Sequence, residues 1–237
     1  EKAARANNSR VFVAACVSKD RAGKELAEIG SLVEAGAVAF TDAPRGIQNA
    51  ELLRRAFEYC LMFDKPILNH PEVLELSHDG VMHEGTVSMV LGLEGLPTEA
   101  EDVMTSRDLR LAESTGGRLH LLNISSHSSV DLVRRVKSRG VGVSAGVCMY
   151  SLVLTDEALR TFNSNYKVDP PLRSQEHVEA CLQGLKDGTI DVISSAHAPR
   201  ASEKKMLELD QAPFGMVGLE TLLGLVVTKV VRPGHLD

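Results

Sequence analysis

Tryptophan is absent from this 237-residue chain and aromatic residues make up only 4% of it, so a surface that stacks nucleobases on exposed rings has little to be built from. A basic excess is lacking as well. Twenty-six Lys and Arg stand against 32 Asp and Glu, a net charge of −6, whereas a phosphate backbone selects basic surfaces; the composition argues against nucleic acid as a partner. No uninterrupted apolar run approaches about 18 residues, which argues against a membrane span. The opening Glu1-Lys2-Ala3-Ala4-Arg5 lacks the apolar stretch of a signal peptide. Cysteine is sparse and scattered: Cys16, Cys60, Cys148 and Cys181 contain no C-x-x-C pair, so neither a zinc knuckle nor a disulfide framework is expected, and a reducing cytoplasm fits best. What is present, 43% hydrophobic and 24% charged residues, is the composition of a globule with one mainly aliphatic core. The chain begins at Glu1 rather than Met and stops at Asp237 just after a Pro-Gly, as a piece of a longer protein would.

Short apolar runs alternate with stretches of helical spacing. Strands are expected at Val11–Val17, Ala37–Asp42, Pro66–His70, Arg118–Ile124, Val141–Ala145 and Ile190–Ser195. Between them, helices are expected to bury Leu26, Ile29, Leu32 and Val33; then Leu52, Leu53, Ala56 and Phe57; then a stretch opened by a Thr98-x-x-Glu101 capping box. Further helices fit Ser128–Arg139, Ser174–Asp187 and Val217–Val231, with an irregular interval from Leu154 to Leu172. Such alternation implies a parallel sheet with right-handed crossovers, either doubly wound or closed as a (β/α)8 barrel. No G-x-G-x-x-G follows the first strand, so a dinucleotide-binding version of the former lacks support. No repeat, low-complexity tract or linker divides residues 1–237.

In a barrel, chemistry is carried where strands end. Here strand ends deliver Asp42, then Asn69-His70-Pro71-Glu72, then Asn123 to His127, then Ala196 to Arg200. His70 and Asp42 are the best candidates for metal ligands, because imidazole and carboxylate suit zinc and a strand positions each rigidly. His78, His83, His177 and His235 read as solvated, His120 as a packed and hydrogen-bonded strand residue, and Glu203-Lys204-Lys205 as a solvated face.

The segments Ala37–Asp42, Pro66–Glu72, Lys167–Arg173, Gly188–Ile193 and Ala212–Glu220, in that order, resemble consecutive landmarks of bacterial dihydroorotases. The resemblance implies an α/β fold, the (β/α)8 TIM-type barrel of the amidohydrolase superfamily, with zinc and the interconversion of carbamoyl-aspartate and dihydroorotate in pyrimidine synthesis. On that reading residues 1–237 form a single domain holding about six of eight β/α units, strands three to eight. The N-terminal strands, with a His-x-His metal motif that no two histidines here provide, and a C-terminal part would lie outside the chain.

The same resemblance marks departures. Asn123 stands where the family carries a metal-binding His. Ala196 replaces the Asp that binds metal and shuttles the proton, Gly146 to Ser151 replace a Glu-x-x-Pro-x-His stretch, and Asp169 replaces a substrate-binding Asn. The implied substrate contacts are therefore Asp169, Arg200, Phe214 and Gly215, with Asp42 and His70 as the matching metal positions and no catalytic set intact. A barrel that has lost catalysis and serves as a structural or regulatory subunit, homo-oligomeric and associated with aspartate transcarbamoylase, is the expectation. The alternatives are an active zinc-dependent amidohydrolase using His127 or His197 in unfamiliar roles, and a binding protein for a small anion held by Arg200.

Overall fold

The structure is a computed structural model that describes residues 2, 5 and 10–236. Six parallel strands form its sheet: β1 (Ala14–Ala15), β2 (Ala39–Phe40), β3 (Ile67–Asn69), β6 (Leu119–Leu121), β7 (Val143–Cys148) and β8 (Val192–Ser194), side by side in that order. A separate parallel pair, β4 (Met82–His83) and β5 (Gly95–Leu96), is inserted between β3 and β6. The six strands are those expected, most of them shorter. Val11, Phe12 and Val13, expected within the first, precede it and are exposed. The sequence pattern does not predict the β4–β5 pair, because two-residue strands are too short to show a period.

Register across the sheet sets Leu68 opposite His120 and His120 opposite Ser144, with Asn69, Leu121 and Ala145 in the next row. His120 is hydrogen-bonded as expected, its Nδ1 2.8 Å from Ser144 Oγ. The helices cover the outer face. Ala50–Leu61 starts at Asn49, whose Oδ1 accepts from the amides of Glu51 and Leu52 as an N-cap should. It buries Leu52, Leu53, Ala56, Phe57 and Cys60 against Phe40, Ile67 and Leu119 of the sheet. Spacing of one, four, five and eight residues from Leu52 puts those side chains on one stripe. Removing a fully buried ring such as Phe57 would cost about 3–5 kcal/mol.

Three expected helical features differ. Leu26, expected on the first helix, precedes Ile29–Glu34 and bridges to Ser18 instead. The helix Glu99–Thr115 has no capping box: Thr98 makes no side-chain cap bond, because Glu101, its expected partner, turns inward and is buried. The last helix is interrupted, Leu222–Val226 followed by a wider turn over Val227–Val231. Among the described residues no helix is long and apolar enough to cross a membrane, and all four cysteines are free.

Candidate functional site

Strand β3 ends in a residue held from both sides. Asn69 Oδ1 accepts from the Ile47 amide at 3.0 Å, and its Nδ2 donates to Asp108 Oδ2 at 2.6 Å. Arg107 donates to the carbonyls of Ile47 and Gln48 and to Asp108, and Gln48 Nε2 donates to the Glu72 carbonyl at 2.8 Å. The loop after β2 is thereby pressed against the backbone of His70 and Glu72. Gly46 permits the approach, since a Cβ there would lie 2.5 Å from the His70 carbonyl oxygen, closer than backbone atoms tolerate. His70 is thus delivered to the C-terminal rim on a rigid support.

At the rim, His70 Nε2 lies 3.4 Å from Asp169 Oδ1 and 3.7 Å from Glu72 Oε2. His70 is 7% exposed and its Nε2 has no hydrogen-bond partner. Burial opposes charge on this ring, but Asp169, Glu72 and Glu101 outweigh it and raise its pKa to about 9. Glu72 is raised by burial and by Asp169; Asp169, whose burial works in the opposite direction, is held low by His70 and Arg173. The Asp169 backbone is fixed in turn, because Tyr150 Oη donates to its carbonyl at 2.8 Å.

Behind this cluster Arg173 and Glu101 form a buried ion pair, 3.5 Å apart. Glu101 also accepts from the amides of Ser125 and Ser126 at 2.8 and 2.9 Å. Arg173 donates to the Leu96 carbonyl and to Ser125 Oγ, and Nη1 is 3.3 Å from His83 Nδ1. His83 and His177 are buried rather than solvated, their rings edge to face at 5.4 Å. Burial, then Arg173 and His177, press the His83 pKa down to about 3. An arginine can only donate, so His83 Nδ1 is an acceptor and the ring proton sits on Nε2. Both rings line a polar cavity of about 620 Å³ shared with Glu84, Asp156 and Glu176.

The remaining candidates lie apart from this cluster. Asp42 is buried, and its carboxylate accepts from the amides of Val17 and Ser18 and from Ser18 Oγ. Asn123 follows β6 by two residues with a positive φ of 53°, and its Oδ1 accepts from Ser194 Oγ at 2.6 Å. Ala196 follows β8 at a φ of 44° and packs with Cys148, Tyr150, Val168 and Leu172. A positive φ disfavours Ala more than Asp, so the backbone here suits the acid of the family pattern better than the alanine it carries. Arg200 is exposed and donates to the Phe214 carbonyl at 2.7 Å. Phe214 lies 4.8 Å below the ammonium of Lys167, which also donates to the carbonyls of Leu209 and Asp210. Gly215, at a φ of 131°, would place a Cβ 2.4 Å from the Ala198 carbonyl oxygen. Lys205, expected to be solvated, instead donates to the carbonyls of Ser164 and Pro213. His197 Nδ1 accepts from the amides of Gly218 and Leu219; His127 is exposed.

The structure therefore gathers His70 and Asp169, leaves Asp42, Asn123 and Ala196 outside their group, and adds Glu72, Glu101 and Arg173. Of these, Glu72 is signalled by its place two residues beyond His70 at a strand end and Arg173 by closing the Lys167–Arg173 landmark, whereas Glu101 reads in the sequence only as a capping residue.

A Dihydro-orotase-like family model matches residues 2–129. The chain is 50% identical to a dihydroorotase of Pelotomaculum thermopropionicum over 226 residues, 95% of this chain and 53% of that protein. The chain belongs to the dihydroorotase-like family. A dihydroorotase of Ruminiclostridium cellulolyticum is 49% identical over 96% of this chain and 53% of its own length, so this dihydroorotase-like chain spans about half the length of the curated relatives it matches. In fold it is similar to an L-hydantoinase of Arthrobacter aurescens, with TM-score 0.78 and 24% identity over 96% of this chain and 53% of that one. It is also similar to a dihydroorotase of Saccharomyces cerevisiae solved with 5-fluoroorotic acid, with TM-score 0.75 and 13% identity over 98% of this chain and 65% of that one. The six parallel strands of this dihydroorotase-like chain are thus an arc of an α/β barrel, not a doubly wound sheet.

Proposed function

We propose that this chain belongs to a dihydroorotase-like protein of pyrimidine biosynthesis that does little or no hydrolysis and acts as a structural or regulatory subunit beside aspartate transcarbamoylase. The observation that carries this reading is Ala196. It follows β8 where the family resemblance expects the acid that moves the proton, and a methyl group packed against a small apolar cluster cannot accept one. Loss of a general acid or base alone costs about 10²–10⁴-fold in rate. Asn123 adds to it, its amide oxygen being committed to Ser194.

A metal fits this rim only in part. Asp42 spends its oxygens on Val17 and Ser18, and Asn123 and Ala196 offer poor or no ligands, whereas His70, Glu72 and Asp169 present their donor atoms within 4.8 Å of one another. A divalent metal held there would polarise a carbonyl or bound water. This chain's own residues would shape the surroundings: Arg173 supplies a positive charge behind the cluster, and Lys167 holds the Phe214–Gly215 turn through its ammonium over the Phe214 ring and its carbonyl, which accepts from the Gly215 amide. The same trio supports the rival reading, an active zinc-dependent dihydroorotase.

A dihydroorotate ring-opening assay on the full-length protein, purified with and without added zinc, separates the two. The expected result is no turnover above the uncatalysed rate in either sample. Turnover that His70→Ala abolishes would overturn the non-hydrolysing reading. Light scattering of the protein mixed with aspartate transcarbamoylase from the same organism tests the partner: a complex is expected, and two independent species would remove that part of the proposal.

A further inference from the structure

We propose that His70, Glu72 and Asp169 form a binding site for a single divalent transition-metal cation such as zinc, built from a ligand set different from the one the family resemblance implies. Distance is the first indication. Zinc bonds of about 2.0–2.2 Å in tetrahedral geometry set neighbouring donor atoms about 3.3–3.6 Å apart. Asp169 Oδ1 and Glu72 Oε2 stand 3.4 and 3.7 Å from His70 Nε2, close to the edges of such a tetrahedron. Both are ion-pair separations, longer than ordinary hydrogen bonds, and His70 Nε2 makes no well-formed hydrogen bond.

The buried imidazole nitrogen is aimed between two carboxylates, which favour positive charge at that point, whether a proton on the ring or a metal ion in its place. Beside it lies a cavity of about 20 Å³, bounded by His70, Glu72, Glu101, Asp169 and Arg173. That is space for about one water molecule, the fourth ligand a three-residue site leaves open.

Each donor is held from behind. The Glu72 carbonyl is held by Gln48 while Gly46 packs closely on the His70 carbonyl, and the backbone of Asp169 is held by Tyr150. Arg173, the nearby cation, is committed to Leu96, Ser125 and Glu101 and so does not neutralise the two carboxylates on its own. Asp169 explains itself in this setting. An acid where the resemblance expects Asn would repel an anionic substrate, but as a ligand it supplies the negative charge that the cation requires.

The inference goes beyond the reading of the rim as non-hydrolysing and does not depend on it. Its test is a titration of the metal-stripped full-length protein with Co(II) near neutral pH, read by visible absorption and by elemental analysis after gel filtration. Binding of Co(II) with the intense visible bands of a tetrahedral centre is expected, displaced by zinc. Asp169→Asn, which keeps shape and removes charge, is expected to weaken that binding by at least about 100-fold with an unchanged circular dichroism spectrum. His70→Ala should abolish it. A wild-type protein without Co(II) binding overturns the proposal, as does an Asp169→Asn protein that binds as tightly as wild type. Co(II) binding together with dihydroorotate hydrolysis would overturn the non-hydrolysing reading and leave this site standing.

Discussion

Asp108 has no exposed surface, and burial raises its carboxyl from the ordinary 3.8 to about 6 against the opposing pull of Arg107 and Asn69. The folded protein therefore holds this proton more tightly than the unfolded chain does. Its stabilising effect is full below pH 3.8 and is lost as the pH rises through about 6, a change on the order of 2–3 kcal/mol. Asp108→Asn should remove that component: in urea unfolding between about pH 4 and pH 7, wild type should lose roughly this much stability relative to the variant. Parallel curves would show that Asp108 is not shifted. Legibility in the sequence differs sharply among such residues. His70 is readable because it ends an apolar strand, and a strand holds its last residues at a defined edge of the sheet. Asp42 carries the same signal, but nothing in a linear pattern reveals that Val17 and Ser18 direct their hydrogen-bond donors at its oxygens. His83 and His177 look solvated in the sequence for a related reason: their burial is created by Arg173 and by the segment around His127, both distant in sequence.

The helix Glu99–Thr115 shows the same limit at the scale of an element. Its inward face carries Glu101, Met104, Thr105, Asp108 and Ala112, a helical stripe that is half polar. A hydrophobic pattern finds the helix but cannot show that its polar residues face inward. The Thr98-x-x-Glu101 spacing promises a capping box, yet a Glu that can accept two backbone amides and meet a buried arginine gains more there than at an exposed helix end. The interior pairing has a measurable consequence. Glu101→Gln leaves Arg173 buried without its counter-charge and should cost about 3–5 kcal/mol. Adding Arg173→Met to that variant should recover a large share, because removing both charges also removes the need to solvate either. Chemical denaturation of the two single variants and the double variant checks this; strictly additive losses would mean that the pair does not act as a unit. By contrast the helix Ala50–Leu61 is fully legible, since its buried stripe is apolar and its Asn49 cap bonds locally.

For the whole molecule, alternation of strands and helices suffices to read a parallel sheet, and the order of the landmark segments suffices to choose a barrel. Pairing across the sheet cannot be read that way, nor can the β4–β5 insertion that brings Leu96 and His83 to Arg173. Among the described residues the sheet is an arc whose two outer strands, β1 and β8, each pair on one side only. The approach to β1 is Val11, Phe12 and Val13, which are 60, 71 and 59% exposed. An apolar run beside an unpaired edge is a template onto which another chain can add a strand. Residues 1–237 produced on their own should therefore self-associate in a concentration-dependent way by edge pairing, whatever assembly the longer protein adopts. Phe12→Lys should suppress that association in analytical ultracentrifugation, and an unchanged sedimentation profile would exonerate the edge. An arc of six strands is thus open to further strands at the edge where β1 lies, and its apolar approach makes that edge adhesive.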